Sequence, residues 1–364
     1  MKPKKIGARV SALLLLLITI IPTGIRTYAK APTAEESGIS YGSRLWELFF
    51  GENTEREVAS EENQKTLLIP GGGVFGARIK LSHVTVSDPC DVRGLCAGDI
   101  ILKVNGNEVT EARQILDLTE ASDGKDVILT VLRGGKELSC TVTPERLGDD
   151  YRLGILLRDS AAGIGTITYI DPKTGDFGGL GHGICDTDSG EVAKMTEGEV
   201  TGVILGGVQR GEAGKPGELS GILTSKTLGR VYSNTECGVF GNLSNIPEGC
   251  EAVNIATRGE VRTGKASIVS TVKNGLCKSY SIEITEIDRS SNGSKSFKIK
   301  VTDPTLIALT GGIVRGMSGS PIIQDGKLVG AVTHVMVANP TEGYGIFIEN
   351  MLNAAQNQVI PKAA

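Results

Sequence analysis

Histidine is scarce in this chain of 364 residues, which holds only His83, His182 and His334. Its seven cysteines, Cys90, Cys96, Cys140, Cys185, Cys237, Cys250 and Cys277, are odd in number and include no CxxC pair, so no zinc signature forms. Dense positive charge is lacking too: 38 Lys and Arg stand against 42 Asp and Glu, for a net charge of -4. No basic stripe of the kind that neutralises phosphates is present, which excludes nucleic acid as a partner. The apparent phosphate-loop glycines of Gly211-Glu212-Ala213-Gly214-Lys215-Pro216 lack the Walker spacing and the Ser or Thr after Lys. Neither a metal nor a cofactor is therefore expected. Long helical periods are few, which argues against a doubly wound sheet.

What the chain does have is glycine, 49 residues of it, with Val, Ile and Thr in short runs broken by Gly, Asn, Asp or Pro. That pattern predicts a mainly β protein. The length predicts about two domains after a short leader. Lys2, Lys4, Lys5 and Arg9 precede an apolar run from Val10 to Ile21. About 12 apolar residues suit the core of a signal peptide better than the roughly 20 a spanning helix needs. Residues 1–29 are thus expected to be a signal peptide or membrane anchor, and the chain to act outside the cytoplasm. Residues 30–66 are polar and acidic, as a tether would be, and are interrupted by the apolar segment Tyr41–Phe50.

Residues 67–146 predict a compact unit: strands near 67–69, 77–81 and 99–104, a helix near 111–121, and a final hairpin through Gly134-Gly135. The run Gly94-Leu95-Cys96-Ala97-Gly98-Asp99-Ile100-Ile101-Leu102-Lys103-Val104-Asn105-Gly106 resembles the GLxAGDxIxxxNG pattern of PDZ domains. That fold holds an extended peptide as an added strand between a strand and a helix. By the same likeness the glycine loop Gly73, Val74, Phe75 and Gly76 is a candidate nest for a peptide carboxylate, with a plain tight turn as the alternative. From 150 to 364 many short β segments follow, which favours a barrel or paired barrels.

Gly316-Met317-Ser318-Gly319-Ser320-Pro321 resembles the GxSGxP nucleophile turn of chymotrypsin-like proteases. In such a turn the Ser hydroxyl projects from a tight bend, and the N–H groups of Gly316 and Ser318 converge on a developing oxyanion. Ser318 rather than Ser320 has the nucleophile's place. A serine needs a base, and His182, amid small residues in Gly178–Cys185, is preferred to His334, which follows an apolar strand and reads as structural. A carboxylate must orient that base. Asp303 in Thr302-Asp303-Pro304 keeps the order His, Asp, Ser, although Asp-Pro is also an ordinary turn initiator, and Asp186 and Asp188 are local rivals.

Together these segments, with Arg158–Thr166 and Ala331–Val335, resemble the stage IV sporulation protein B (SpoIVB) peptidases, over most of the chain. The resemblance implies a PDZ domain followed by a chymotrypsin-like double β-barrel serine peptidase domain, with His182, Asp303 and Ser318 as its triad. It also implies self-cleavage in the 30–66 linker, in trans or in cis. Secretion into the space between forespore and mother cell is implied as well, with cleavage there of a membrane-bound regulator that leads to activation of the late mother-cell sigma factor. The competing function is a non-catalytic PDZ scaffold whose protease-like domain only binds. HtrA-type proteases carry similar parts with the protease ahead of the PDZ.

Overall fold

The computed structural model describes residues 66–187 and 189–357. The leader, residues 30–65 of the tether with Tyr41–Phe50, and Asp188 lie outside the described residues. In chain order the first elements are β1 (Leu67–Pro70), β2 (Val74–Asp88), β3 (Ile100–Val104), β4 (Asn107–Glu108), α1 (Ala112–Glu120), β5 (Val127–Arg133), β6 (Lys136–Val142), β7 (Glu145–Leu147) and β8 (Asp150–Arg152). There follow β9 (Leu156–Ile170), β10 (Asp176–Gly179), β11 (Met195–Gln209), β12 (Glu218–Thr235), β13 (Gly238–Leu243) and β14 (Val253–Asn254). The last are β15 (Gly264–Lys273), β16 (Leu276–Ile287), β17 (Phe297–Val301), α2 (Pro304–Thr310), β18 (Pro321–Gln324), β19 (Lys327–Met336), β20 (Asn339–Phe347) and α3 (Ile348–Gln356). No helix among the described residues is long and apolar enough to cross a membrane.

Two antiparallel barrels result. In the first, the strands pair in the ring β9-β10-β13-β12-β11-β2, and β2 closes it by pairing with β9. The second is the closed barrel β15-β16-β17-β20-β19-β18. Strict alternation makes this possible: in β16, Tyr280, Ile282 and Ile284 are buried while Ser279, Ser281, Glu283 and Thr285 between and beside them are exposed. Each such inward aliphatic contributes about 1.5–3 kcal/mol by leaving water, and a period of two can do so only in a strand. The mainly β, double-barrel reading of the sequence holds.

The PDZ module has its own core around Val84, Val86, Ile101, Ile115, Leu129 and Val131. Its sequence signature is structural. Asp99, fully buried, accepts from Nε and Nη2 of Arg133 at 2.6 Å each and from the Cys96 N–H at 2.8 Å, which ties the motif to β5. At the start of α1, Gln114 Oε1 accepts from the backbone N–H of Glu111, satisfying one of the donors a helix leaves open.

The residues expected to open the PDZ module at 67 are shared with the first barrel. Phe75, Ala77, Ile79 and Leu81 fill the core of the first barrel together with Ile170, Phe177 and Val200. β1 and the first half of β2 therefore belong to that barrel, and the PDZ core starts near Val84. β2 and β9 run on from the barrel into the module, so the module sits between two neighbouring strands of the barrel.

Candidate active site

Ser318 lies in the tight passage between α2 and β18. Gly316 and Gly319 both have φ of +94°, the left-handed region glycine favours. A Cβ on Gly319 would lie 2.0 Å from the Thr166 carbonyl oxygen, so β9 leaves no room for any other residue there. β9 also fastens the turn directly. Thr166 N–H donates to the Ser318 carbonyl at 2.9 Å, Thr166 Oγ1 to the Gly316 carbonyl at 2.9 Å, and Thr168 Oγ1 to the Gly319 carbonyl at 2.7 Å. Among the described residues no backbone carbonyl takes up the N–H of Gly316 or of Ser318. These are the two donors expected to form the oxyanion hole.

Ser318 Oγ is half-buried and donates to the Thr333 carbonyl at 2.8 Å. Ser320 is fully buried, its hydroxyl donating to Ser270 Oγ at 3.0 Å inside the second barrel. Only Ser318 is placed to meet a substrate.

His182 follows β10 in a loop turned by left-handed Leu180 and Gly181, with Leu180 sunk into the first barrel's core. Just beyond it, Asn234 of β12 pins Ile184: Oδ1 accepts from Ile184 N–H at 2.8 Å, and Nδ2 donates to the Ile184 carbonyl at 2.8 Å and to that of Ala193 at 2.9 Å. Nδ1 of His182 lies 2.9 Å from the Gly183 carbonyl. With the proton on Nδ1, that contact is a hydrogen bond and Nε2 carries the free lone pair a base requires. Burial lowers the pKa of His182, and the Gly183 carbonyl opposes this in part.

The structure places His334 at the site as well. Its ring stands 4.9 Å from that of His182, centroid to centroid. Its Nδ1 is buried without a hydrogen-bond partner. Burial first, then His182 and Lys295, push its pKa down to about 4. The β18–β19 hairpin explains the neighbourhood: Pro321 pairs with Ala331, and counting back along that register sets Ser318 level with His334. Counting from the turn Gln324–Lys327 alone would set Ser318 level with Thr333; the register shift between Ile322 and Ile323 moves the match to His334.

Asp303, expected to orient the base, stands at the start of α2. It caps α2, its Oδ1 accepting from Thr305 N–H at 2.8 Å and Leu306 N–H at 3.0 Å, with Pro304 behind it at the first helical position. Its Oδ2 accepts from Ser281 N–H at 3.4 Å. No hydrogen bond joins it to His182, whose Nδ1 is met by a backbone carbonyl instead. Asp186 is likewise engaged elsewhere, with Arg158 of β9 at 3.2 Å.

The expected PDZ nest, by contrast, is built into the barrel. Val74, Phe75 and Gly76 lie in β2 with β9 on one side, and Gly76 with β11 on the other. The Gly73 carbonyl is taken by Ile167 N–H, and Phe75 is fully buried. Alternation in a glycine-rich run looks the same whether it lines a groove or a barrel. At the start of β9, Leu156 and Leu157 pair with β2 and lie close to α1.

Two barrels with a serine hydroxyl and a free pair of N–H donors in one turn, and a basic imidazole brought to the same end of β19, define a serine endopeptidase that carries a PDZ module. The family comparisons agree: the PDZ domain model matches residues 57–143, and the SpoIVB peptidase S55 model matches residues 149–352. The chain belongs to the SpoIVB peptidase S55 family. Among curated proteins it is similar to one of Lactococcus lactis subsp. lactis named as a putative zinc metalloprotease, LL2128, at 34% identity over 85 residues, 23% of this chain and 20% of that one. The chain spans about a fifth of that relative's length. Among the described residues no group of three His, Cys, Asp or Glu is placed to hold a metal ion. Of solved structures, the active form of the Rv3671c protease from M. tuberculosis is similar over 56% of this chain and 77% of its own, at 11% identity and a TM-score of 0.35. The HtrA-type protease AlgW with a tripeptide is similar over 54% and 56%, at 15% identity and a TM-score of 0.33.

Proposed function

We propose that this serine endopeptidase is a sporulation signalling protease, exported through its leader into the space between forespore and mother cell. There it cuts its own 30–66 linker and then a membrane-bound regulator, and so leads to activation of the late mother-cell sigma factor. Family membership supports the biological setting. The observation that carries the chemistry is the Ser318 turn with its two uncommitted N–H groups.

In the reaction, Ser318 Oγ leaves the Thr333 carbonyl and attacks the scissile carbonyl carbon while His182 Nε2 takes its proton. The carbonyl oxygen becomes an oxyanion and receives the N–H groups of Gly316 and Ser318. His182 then passes the proton to the leaving amine, the peptide C–N bond breaks, and an acyl-enzyme remains on Ser318. Water, deprotonated by His182, releases the acid. A cavity of about 270 Å³ lined by Ile164, Leu219, Leu223, Arg315 and Gly316 opens beside the turn and offers a place for a substrate side chain. The PDZ module would hold a stretch of substrate remote from the cut, adding affinity by strand pairing.

The test compares purified chains lacking residues 1–29. Intact mass over time should show the wild type and Ser320→Ala losing part of the linker and Ser318→Ala staying whole. A Ser318→Ala chain that trims itself at the wild-type rate would sink the serine mechanism. A wild type that cuts another polypeptide yet keeps its own linker would sink self-processing.

A further inference from the structure

The strand that holds the nucleophile turn also belongs to the PDZ module. Leu157, at the start of β9, packs on the PDZ core and pairs with Val86, whereas Thr166 and Thr168 of the same strand bind the Ser318 turn. Between these two ends the ladder of β2 and β9 breaks register, from Lys80 to Thr85. Such a break lets the module's half of the pair tilt against the barrel's half.

At this junction two adjacent side chains reach in opposite directions. Arg158 donates Nη1 to Thr187 Oγ1 at 2.5 Å and Nη2 to Asp186 Oδ2 at 3.2 Å, and so grips the loop that carries His182. Both charged groups are mostly buried, with side-chain exposures of 23% and 13%. Asp159 Oδ2 accepts the N–H of Ala112 at 2.9 Å, the first helical residue of α1, and Lys80 meets the neighbouring Glu111 at 2.7 Å. One dipeptide thus links the PDZ helix to the catalytic loop, and its strand continues to the nucleophile turn.

We propose that Arg158 is a positioning residue for His182, and that Arg158 with Asp159 couples the PDZ module to the catalytic centre. An extended peptide seated between α1 and the start of β9, at Leu156 and Leu157, adds a strand there. By shifting that end of β9, it changes how the His182 loop is held. This rests on the assignment of His182 as the base, and the test separates the two ideas. Such coupling between sites has a usual range of about 5- to 150-fold.

The readout is the second-order rate at which a small fluorophosphonate phosphonylates Ser318 in the chain lacking residues 1–29. The Ser Oγ–P bond forms, P–F breaks, fluoride leaves and the proton goes to His182, so the rate senses the position of the base with no peptide bound. His182→Ala should abolish labelling; if it labels normally, the base assignment fails and this proposal with it. Arg158→Gln should slow labelling about tenfold with its unfolding midpoint nearly kept, and Arg158→Lys should recover part of the loss. Asp186→Asn should slow it similarly, and the double variant should be no slower than either single one. Ala112→Pro removes only the N–H that Asp159 receives, at the helix position where proline is tolerated. It should slow labelling several-fold.

Wild-type labelling in Arg158→Gln, or losses that add in the double variant, would overturn the positioning role. Should Arg158→Gln fail to fold, Arg158→Lys and Asp186→Asn carry the same comparison. Slow labelling in Arg158→Gln beside normal labelling in Ala112→Pro would overturn the coupling to the PDZ module.

Discussion

Asparagine at position 303 separates two jobs that one carboxylate could have. As the cap of α2, Asp303 satisfies two N–H groups through Oδ1 and a third, from Ser281, through Oδ2. Asn keeps an acceptor oxygen for the helix and is among the best capping residues. It turns a donor toward Ser281, at the longest of the three contacts, so Asp303→Asn should cost a few tenths of a kcal/mol or slightly more. Ala keeps none of the three acceptors and should cost about 1 kcal/mol, up to about 2. In a unit of this size that lowers the unfolding midpoint by about 2–4 °C per kcal/mol. Because the carboxylate does not touch His182, kcat/KM of the Asn variant should stay within about threefold of the wild type. A carboxylate that orients a catalytic histidine behaves differently: its amide costs about 10⁴ in kcat, equivalent to about 5.5 kcal/mol at the transition state. The assay is turnover of a fluorogenic peptide by both variants, beside their calorimetric midpoints. A loss near 10⁴ in Asp303→Asn with an unchanged midpoint would refute the capping role and restore Asp303 to the triad.

Acidification should weaken the fold through its paired imidazoles. His334, facing His182 and Lys295, has a folded pKa near 4 against about 6.5 unfolded, so the unfolded chain binds protons first. The stability from keeping it neutral is therefore full above pH 6.5 and lost as pH falls toward 4. Urea midpoints should drop across that window and drop less in His334→Asn; a flat profile would refute the assignment. Separately, deleting residues 67–146 should leave no folded peptidase, since it removes Phe75, Ile79 and Leu81 from the first barrel. Replacing only residues 83–157 with Asn-Gly, which closes a two-residue hairpin between β2 and β9, should leave a cooperative thermal transition by circular dichroism. Two equally folded products, or two unfolded ones, would contradict the boundary near Val84.

The motifs that could be read in sequence were those whose geometry is made locally. Gly316–Pro321 specifies its own bend, because two left-handed glycines flanking a short segment leave the Ser hydroxyl outside whatever surrounds it. Gly94–Gly106 likewise contains both the turn and the strand it serves. Asp303-Pro304 was equally local, and its local meaning, a helix start, is the one the structure bears; partnership with His182 would have needed an approach that no short-range pattern encodes. The Gly73–Gly76 loop failed for a related reason. Alternating small and apolar residues state that a strand has a buried face, but not which of two cores it faces.

Tertiary structure decided everything that depends on two distant strands meeting. His334 looked like the end of an apolar strand, and it became a neighbour of His182 because β19 returns past the nucleophile turn while the loop after β10 folds over it. Arg158 and Thr166 lie in a segment that carries the family resemblance, but neither has a catalytic role that can be read locally. They matter because β9 is long enough to serve the PDZ module at one end and the Ser318 turn at the other. The sequence by itself determined the β class, the module types and the tight turn that presents Ser318, since each follows from periodicity or a self-contained bend. Which groups surround that nucleophile was settled only by barrel closure, where register between strands far apart in the chain sets which side chains share a face.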